Sequence, residues 1–194
     1  MRVVLLSGGL DSTVCLWLAA AQGNVVALSV DYGQRAAESE RRHSADLAGR
    51  VGAAHRHLAI PAFGRLAESA LTTGGDLAYA PSTVVPGRNA VLLSLAATLS
   101  PDEIWIGCNG GDSLVYADCR PEFLVAAQAV IRLGACTGTT IRAPLLGMTK
   151  ADVLRHALNL GVPVAATSNC YAGTGCKVCA ACKVRAAAFA EVGA

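Results

Sequence analysis

Val3-Val4-Leu5-Leu6-Ser7-Gly8-Gly9-Leu10-Asp11-Ser12 is the stretch that decides the fold of this chain. Its first four residues are apolar and partly β-branched, which predicts a buried strand, and the apolar run 13–22 predicts a helix. Between them, Gly8 and Gly9 allow the backbone to come close to a bound group. The free N–H groups at the start of a helix favour an anion there. The stretch therefore predicts a strand, an anion-binding turn and a helix start.

The polar side chains of this turn strengthen that interpretation. Ser7 and Ser12 add hydroxyl donors, and Asp11 is an acid beside an anion site, which is reasonable where Mg²⁺ lies between them. The Walker pattern GxxxxGK[ST] and the pattern GxGxxG are absent from the loop. The alternative is an ordinary strand-to-helix turn. SGGxDS resembles the PP-loop of the ATP pyrophosphatases, which cleave ATP between the α- and β-phosphates and transfer AMP to a substrate oxygen.

The composition excludes several classes of protein. The chain has 194 residues, of which 53% are hydrophobic and 15% charged, so one folded domain is expected. A net charge of +2 without a basic run argues against direct binding to nucleic acid or to an anionic membrane. No apolar stretch reaches the ~18 residues that span a bilayer, and we expect no signal peptide. The eight cysteines therefore indicate a reducing cytoplasm rather than a secreted disulfide framework.

Strands and helices alternate along the chain. After the first strand, further strands are predicted at 24–30, 55–60, 103–108 and 140–144. The alternation predicts an α/β fold with a parallel sheet and helices on both faces. Residues 1–145 are expected to form a nucleotide-binding core, and residues 146–194 a C-terminal helical segment within the same compact unit. A short amphipathic helix is predicted at 63–71, a loop covering the site at 72–82, and a capping box at Thr149 and Asp152.

Polar residues cluster where predicted strands end. In open α/β sheets, ligands bind beyond the carboxyl ends of the strands. The candidates after the second strand are Asp31, Tyr32 and Gln34. Arg88 and Asn89 are candidates at the start of the helix that precedes the fourth strand. After the fourth strand, the candidates are Asp112, Tyr116, Asp118 and Arg120. The alternatives are a plain turn for the first group, an N-cap for Asn89 and a surface ion pair for Arg88. His55 and His57 share a face of the third strand, and we favour a polar strand face over a shared metal.

Four cysteines in the pattern Cys170-x5-Cys176-x2-Cys179-x2-Cys182 lie near the end of the sequence. Four thiolates suit tetrahedral Zn²⁺, and short x2 turns allow backbone N–H groups to donate to metal-bound sulfur. An iron–sulfur cluster is the alternative. The remaining cysteines Cys15, Cys108 and Cys136 are predicted to be small core residues, and Cys119 is undecided.

Taken together, the motifs resemble one PP-loop family, 7-cyano-7-deazaguanine synthase. The matching segments are LLSGGLDS at 5–12, DYGQR at 31–35, VPGRN at 85–89, D-x3-Y-x-DCR at 112–120, PL with TKA at 144–151, and the four cysteines with Tyr171 beside the first. The resemblance implies an adenine-nucleotide hydrolase-like PP-loop core with a small C-terminal zinc-binding helical subdomain. It also implies a homodimer.

The resemblance further implies the reaction and part of the site. The family uses 7-carboxy-7-deazaguanine, ammonia and two ATP, and passes through an acyl-adenylate and an amide to a nitrile. Carried over by position, the zinc ligands are Cys170, Cys176, Cys179 and Cys182, and the ATP-binding residues are Ser7, Gly8, Gly9, Leu10, Asp11, Ser12, Asp31 and Gln34. The cofactors expected with ATP are Mg²⁺ and Zn²⁺.

The guanine-like edge of such a substrate offers two adjacent donors, which one carboxylate accepts. Asp112 and Asp118 are our candidates for that role, and Arg88, Arg120 or Lys150 are candidates for the substrate carboxylate or the ATP phosphates. Asn89 and Tyr116 complete the predicted substrate side. Asp11, Lys150 and Arg88 are the predicted catalytic residues.

The chain also departs from the family pattern, mostly on the substrate side. Ala36 replaces the usual His, Leu114 to Ala117 replace the usual SGYP, and Ala172 replaces the usual Asn. The segment between Leu71 and Val85 and the first cysteine loop are shorter than usual. A variant that stops at the amide, or that uses a related deazapurine acid, is therefore an alternative. A tRNA sulfur transferase and an inactive nucleotide-binding protein are further alternatives, and a phage origin, with action in the host cytoplasm, is consistent with the compact chain.

Overall fold

A five-stranded, all-parallel sheet forms the centre of the computed structural model, which describes residues 1–134 and 138–194. The order across the sheet is β3-β2-β1-β4-β5. The strand bounds are β1 Arg2–Leu5, β2 Val25–Asp31, β3 Ala54–Ala59, β4 Glu103–Trp105 and β5 Thr140–Arg142. The predicted parallel α/β fold is therefore confirmed, with each strand within a few residues of its predicted place.

Helices connect the strands. Their bounds are α1 Leu10–Ala20, α2 Ala37–Arg50, α3 Arg88–Ala97, the single turn α4 Asp112–Val115, α5 Pro121–Gly134, α6 Lys150–Asn159 and α7 Ala180–Val192. Among the described residues, none of these helices combines the length and apolar character that crossing a bilayer requires.

Alternate residues of β1 point to two separate hydrophobic clusters. Val4 packs into a cluster with buried residues of α1, α2, α6 and α7, whereas Val3 and Leu5 pack into a second cluster with buried residues of α3 and α5. This alternation is the two-residue period of a strand that is buried on both faces. The helices therefore cover both faces of the sheet, as predicted.

The start of α6 is fixed by a capping box. The Thr149 hydroxyl accepts a hydrogen bond from the Asp152 N–H at 3.1 Å, and the Asp152 carboxylate accepts one from the Thr149 N–H at 3.1 Å. These two bonds satisfy donors that have no partner within the helix. The predicted cap is confirmed, and it sets Lys150 as the first residue of α6.

The structure differs from the prediction at 63–71. Only a single 3₁₀ turn, Phe63–Arg65, forms there. The Gly64 N–H donates to the carbonyl of Tyr32 at 2.8 Å, and a Cβ on Gly64 would lie 2.3 Å from that oxygen. The chain is thus held against the end of β2, where a continuous helix would carry side chains into the contact.

Strand β3 lies at an edge of the sheet and carries the histidine pair. His55 Nε2 lies 2.9 Å, and His57 Nδ1 3.0 Å, from the hydroxyl oxygen of Ser29 on the neighbouring strand β2. The two imidazoles therefore share one hydroxyl group across the strand pair, which is the role of a polar strand face.

The cysteines predicted to be core residues are buried at Cys15 and Cys108, and Cys119 is also buried. Cys136 lies outside the described residues. The burial of these thiols is consistent with the small apolar character of the side chain.

The sheet has a topological switch point between β1 and β4. The chain leaves β1 toward β2 on one side, and β4 lies on the other side. Ligands bind at such points because the loops diverge there. A Cβ on Gly107, just beyond β4, would lie 2.8 Å from the carbonyl carbon of Asp11. The segment after β4 is therefore in direct contact with the first turn of α1, beside the predicted anion-binding turn.

Leu154 tests how far the core depends on α6. Its side chain is 0% exposed, whereas Leu158, one turn later on the same helix, is 45% exposed. We expect Leu154→Ala to lower the free energy of unfolding by about 2–5 kcal/mol, because it removes buried methyl groups and leaves a cavity. Leu158→Ala is the matched control and should cost about 0.5 kcal/mol or less. Urea denaturation measures both, and equal losses would contradict the packing described.

Candidate active site

The predicted anion-binding turn has the geometry of a phosphate cradle. Gly8 has a φ of +77°, and a Cβ there would lie 2.5 Å from the Cβ of His43, so only glycine fits. Ser7 Oγ lies 3.1 Å from Ser12 Oγ, and Ser12 donates to the carbonyl of Gly9 at 3.1 Å. The hydroxyls are thus fixed beside the start of α1. This arrangement concentrates donors and the positive end of a helix dipole at one point.

Two carboxylates and a lysine lie beside this cradle. Lys150, at the start of α6, forms an ion pair with Asp11, and both side chains are largely buried. Asn109 donates to the Asp112 carboxylate at 2.8 Å and lies 3.5 Å from Asp11 Oδ1. Burial, and then the negative charge of Asp11, raise the pKa of Asp112. The cluster therefore offers carboxylate oxygens for a cation and one ammonium group for a phosphate.

An arginine flanked by two tyrosines lies among the predicted substrate residues. The Arg88 guanidinium lies 5.9 Å from the centre of the Tyr32 ring and 6.0 Å from that of Tyr116. The Tyr116 hydroxyl lies 2.7 Å from the Thr83 hydroxyl and 2.9 Å from the Tyr171 hydroxyl. Four parts of the chain thus meet around one cation: Thr83 just after the predicted cover loop, α3, the segment after β4, and the cysteine loop.

A carboxylate that the sequence analysis did not single out faces the same space. Glu40 of α2 accepts a hydrogen bond from Gln34 Nε2 at 2.9 Å, and Gln34 also donates to the carbonyl of Val30 at 3.1 Å. Gln34 Oε1 accepts from the Tyr32 N–H at 2.8 Å. Burial raises the pKa of the Glu40 carboxyl to about 6, and the bond from Gln34 and the charge of Arg88 oppose this only in part.

These groups surround one cavity of about 370 Å³ at the carboxyl ends of β1, β2 and β4. That volume is in the range of small-molecule sites. The predicted residues that line it are Ser7, Gly9, Asp11, Ser12, Tyr32, Gln34, Arg88, Asn89, Asp112, Tyr116 and Lys150. The predicted ATP and substrate residues thus meet in a single space.

Some predicted residues lie outside the lining of this cavity. The Asp118 carboxylate accepts a hydrogen bond from the Asn89 N–H at 3.1 Å, at the start of α3, and Asn89 Nδ2 donates to the Asp118 carbonyl at 3.1 Å. Exposed Arg120 donates to the Ser113 carbonyl at 3.1 Å, and Asp31 accepts from the Gly33 N–H at 2.8 Å. Each of these bonds holds a loop in place. Gly8 and Leu10 contribute backbone to the turn without lining the cavity.

Four cysteine sulfurs are gathered in the C-terminal segment. The Sγ atoms of Cys170, Cys176, Cys179 and Cys182 lie within 4.8 Å of one another. The Cys176 N–H donates to Cys170 Sγ at 3.3 Å, and the Cys179 N–H donates to Cys176 Sγ at 3.4 Å. Burial alone would raise the pKa of Cys170, but the N–H donors of the loop lower it to about 6. A thiolate stabilised in this way is suited to bind a metal ion.

Three residues of the site were missed by the sequence analysis, and the sequence around them indicated their role to different degrees. Asn109 directly follows the strand predicted at 103–108, where ligands are expected to bind, and it was not assigned a role. Glu40 is one of several charged residues on α2, and only the fold shows that it faces inward. Asn169 also lines the cavity, from the segment before the first metal-site cysteine, and nothing in its local sequence indicated a contact with the turn at 7–12.

Comparison with known sequences identifies the family of the chain. The model of the family described as queuosine biosynthesis protein QueC matches residues 1–193. A 7-cyano-7-deazaguanine synthase of Aromatoleum aromaticum (strain DSM 19018 / LMG 30748 / EbN1) is 38% identical, over 98% of this chain and 93% of that protein. The 7-cyano-7-deazaguanine synthase of Azoarcus sp. (strain BH72) is 40% identical, over 98% of this chain and 92% of that protein. The similarity extends over nearly the whole of both chains.

Solved structures share the fold at low sequence identity. An NMN synthetase from Francisella tularensis has a TM-score of 0.54 and 20% identity, covering 84% of this chain and 62% of that one. The U34-tRNA thiolase NcsA from Methanococcus maripaludis, with its [4Fe-4S] cluster, has a TM-score of 0.52 and 15% identity, covering 100% and 73%. At these identities the likeness concerns the arrangement of strands and helices.

The raised pKa of Glu40 predicts a pH-dependent effect on stability. The folded protein keeps the Glu40 proton up to about pH 6, above the value of 4.5 for an ordinary glutamate, so ionisation destabilises the fold as the pH rises between them. Glu40→Gln keeps an acceptor for Gln34 and should therefore raise the melting temperature at pH 8 by about 2–4 °C. The gain should shrink at pH 5, as measured by thermal denaturation.

Glu38→Gln on the same helix is the matched control with the opposite sign. Glu38 is exposed, and hydrogen bonds from Arg41 lower its pKa, so its ionised form is favoured in the folded state. Its replacement should not raise the melting temperature at pH 8. A gain in Glu40→Gln that is the same at both pH values would show that Glu40 is not the group responsible.

Proposed function

The chain belongs to the QueC family of 7-cyano-7-deazaguanine synthases, and we propose that it converts 7-carboxy-7-deazaguanine and ammonia to 7-cyano-7-deazaguanine at the expense of two ATP. The observation that carries this proposal is the single cavity that contains both the PP-loop and the polar residues of α3 and α4. A phosphate site and a site for a planar, polar substrate in one space are what adenylation of that substrate requires.

The PP-loop end activates the substrate. The substrate carboxylate attacks the α-phosphorus of ATP, the bond to the β-phosphate oxygen breaks, and pyrophosphate leaves. The N–H groups at the start of α1, Ser7, Ser12 and the ammonium of Lys150 stabilise the charge that builds on the departing pyrophosphate. Mg²⁺ neutralises phosphate charge when bound, and Asp11 and Asp112 are the carboxylates that would hold it.

The same site serves the later steps. Ammonia attacks the acyl carbon of the adenylate and AMP leaves, which gives the amide. The amide oxygen then attacks the α-phosphorus of a second ATP, pyrophosphate leaves, and one N–H proton is lost. Loss of AMP together with the second N–H proton gives the nitrile. Both activations use the same donors, so one PP-loop suffices. Bound substrates that fill the cavity would keep water from the acyl-adenylate, which would otherwise return to the carboxylate.

The other end of the cavity is suited to the deazaguanine ring. Arg88, held between Tyr32 and Tyr116, is the cation placed for the substrate carboxylate. Of the acids that line the cavity, Asp11 and Asp112 are the proposed Mg²⁺ ligands, and Glu40 is the acid that remains, with an oxygen, Oε1, that has no hydrogen-bond partner among the described residues. We therefore assign Glu40, in place of the sequence candidate Asp112, as an acceptor for the two donors of the guanine-like edge. Asp118 positions α3.

We propose that the four cysteines bind zinc. Zn–S bonds of about 2.3 Å in a tetrahedron place the sulfurs about 3.8 Å apart, which fits sulfurs that already lie within 4.8 Å of one another. An iron–sulfur cluster spreads its cysteine sulfurs further, because each binds a different iron. Zinc has no redox chemistry, so its role would be to hold the loop at 170–182 in place. It would affect the reaction only through the position of that loop.

The thiols that line the cavity bear on the alternative function of sulfur transfer. Cys108 and Cys119 both line it, so thiols are present near the phosphate site. A hydrogen bond with Cys119 and burial raise the pKa of Cys108 far above its usual range, which keeps that thiol protonated. A protonated thiol is a poor nucleophile. Nitrogen as the nucleophile is the better match to the site.

The proposed reaction is tested by product analysis. Purified protein is incubated with 7-carboxy-7-deazaguanine, ammonium, Mg²⁺ and ATP, and the products are followed by mass spectrometry. We expect the nitrile, with two AMP released per nitrile. Lys150→Met should lower kcat by about 100-fold or more, since it removes a cation from the departing pyrophosphate. Lys183→Met, an exposed lysine on α7, is the control and should leave the rate unchanged.

The outcomes of this assay separate the alternatives. Amide as the only product would show that the reaction stops before the nitrile. Ala36, which replaces the usual His, is one reason to test for this outcome. Release of AMP without the amide or the nitrile would point to a different acceptor. If ATP is not turned over with this substrate, the proposed function is wrong.

The metal assignment is tested by elemental analysis. The purified protein should carry about one zinc per chain, and Cys176→Ser should lose it, because a hydroxyl is a poor ligand for zinc at neutral pH. Cys15→Ala changes a buried cysteine of α1 and should keep the metal. Iron with acid-labile sulfide in place of zinc would contradict the assignment.

A further inference from the structure

Asn169 brings a side-chain amide to the phosphate cradle from the C-terminal segment. It immediately precedes Cys170 and lines the cavity together with Ser7 and Gly9. The preceding residue, Ser168, donates its N–H to the carbonyl of Gly8 at 2.9 Å. Residues 168 and 169 thus run directly beside the turn that is proposed to bind ATP.

Two donors fix the orientation of this amide. Asn169 Oδ1 accepts a hydrogen bond from Arg185 Nη1 at 2.9 Å and from the Leu10 N–H at 3.3 Å. An amide turned the other way would set its NH₂ group against both donors, so the oxygen must face them. The nitrogen, Nδ2, therefore faces away from Arg185.

The nitrogen lies over the turn with its hydrogens available. A Cβ on Gly9 would lie 3.2 Å from Asn169 Nδ2, which shows how closely the amide approaches the backbone there. In the part of the chain that the structure describes, no group accepts a hydrogen bond from Nδ2. An amide with an engaged oxygen and a free NH₂ group is a donor set toward an anion.

Arg185 is itself held rigidly. It donates to the Thr167 hydroxyl and to the Val164 carbonyl, both at 2.9 Å, and its guanidinium lies 4.9 Å from the centre of the Phe189 ring. A planar fork that bridges three acceptors has little freedom to move. It therefore holds Asn169 in one rotamer.

We propose that Asn169 Nδ2 donates a hydrogen bond to the phosphates in the PP-loop, and that Arg185 is the positioning residue that directs this donor. The inference rests on the proposed ATP-dependent function, since it names a further contact of that same site. It also gives α7 a role: the helix that contains Cys182 also carries the arginine that orients a donor to the phosphates.

Asn169→Asp is the sharpest test, because it keeps the oxygen that accepts from Arg185 and Leu10 and changes only the group that faces the anion. It removes the donor and adds a negative charge. We expect the Kd of magnesium pyrophosphate, measured by isothermal titration calorimetry, to rise about 100-fold, and about tenfold in Asn169→Ala. The melting temperature of Asn169→Asp should not fall, since the carboxylate pairs with Arg185. Asn24→Asp, an exposed position at the opposite end of the sheet, is the matched control.

A double-mutant cycle tests the role of Arg185. Arg185→Gln should raise the Kd about tenfold in the wild-type background and have little further effect beside Asn169→Ala, because its action passes through Asn169. A purely structural role would give the same factor in both backgrounds. Arg185→Lys should recover only part of the affinity, since an ammonium lacks the planar fork.

The outcomes keep this inference apart from the proposed function. Unchanged affinity in Asn169→Asp overturns the assignment of Asn169, whatever the reaction catalysed. If the unaltered protein does not bind magnesium pyrophosphate, both the inference and the ATP-dependent function fail. If it binds, loses affinity in Asn169→Asp, and yet turns over no deazaguanine acid, the inference stands and the proposed substrate is wrong.

Discussion

Among the described residues, three hydrogen bonds from outside the sheet hold the backbone of the PP-loop, and the rest of the site depends on them. Ser44 of α2 donates to the Leu6 carbonyl at 2.9 Å, Ser168 donates to the Gly8 carbonyl at 2.9 Å, and Asn169 accepts from the Leu10 N–H at 3.3 Å. Two of the three come from the C-terminal segment. Donors fixed in advance need little rearrangement when charge develops on a phosphate, which is why a rigid loop is useful here.

Two of the expected departures from the family pattern, Ala36 and the short first cysteine loop, lie in contact with each other. Gly173, with φ of +72°, is so close to α2 that a Cβ on it would lie 3.3 Å from the Cα of Ala36 and 3.1 Å from the Cβ of Ser39. The short cysteine loop therefore rests directly on the start of α2. A histidine at position 36 would extend its side chain from this crowded contact. The small residue at 36 and the shortened loop are consistent with a single change in packing.

Local patterns account for the parts of the site that could be predicted. The position of the cradle was predictable because the strand and SGGLDS are consecutive in the sequence. The metal-binding cluster was predictable because its four cysteines lie within thirteen residues of one another. Asp118 was predicted to face the substrate, but it lies outside the cavity lining and accepts from the Asn89 N–H, a contact between residues 29 positions apart. Asn169 meets Leu10 across 159 positions. Such contacts are set by how helices pack on the sheet, which a single sequence does not display.

The proposed metal site lies in a segment that serves both ends of the cavity. Residues on either side of Cys170 serve the two ends of the cavity: Asn169 contacts the PP-loop, and the Tyr171 hydroxyl meets Tyr116 at 2.9 Å. A segment without regular secondary structure has little of its own to hold two side chains in place. A metal ion bound at Cys170 would anchor that segment at the residue between them. The metal would thus set the phosphate end and the substrate end relative to each other, which is the geometry that an attack of a carboxylate on the α-phosphorus needs.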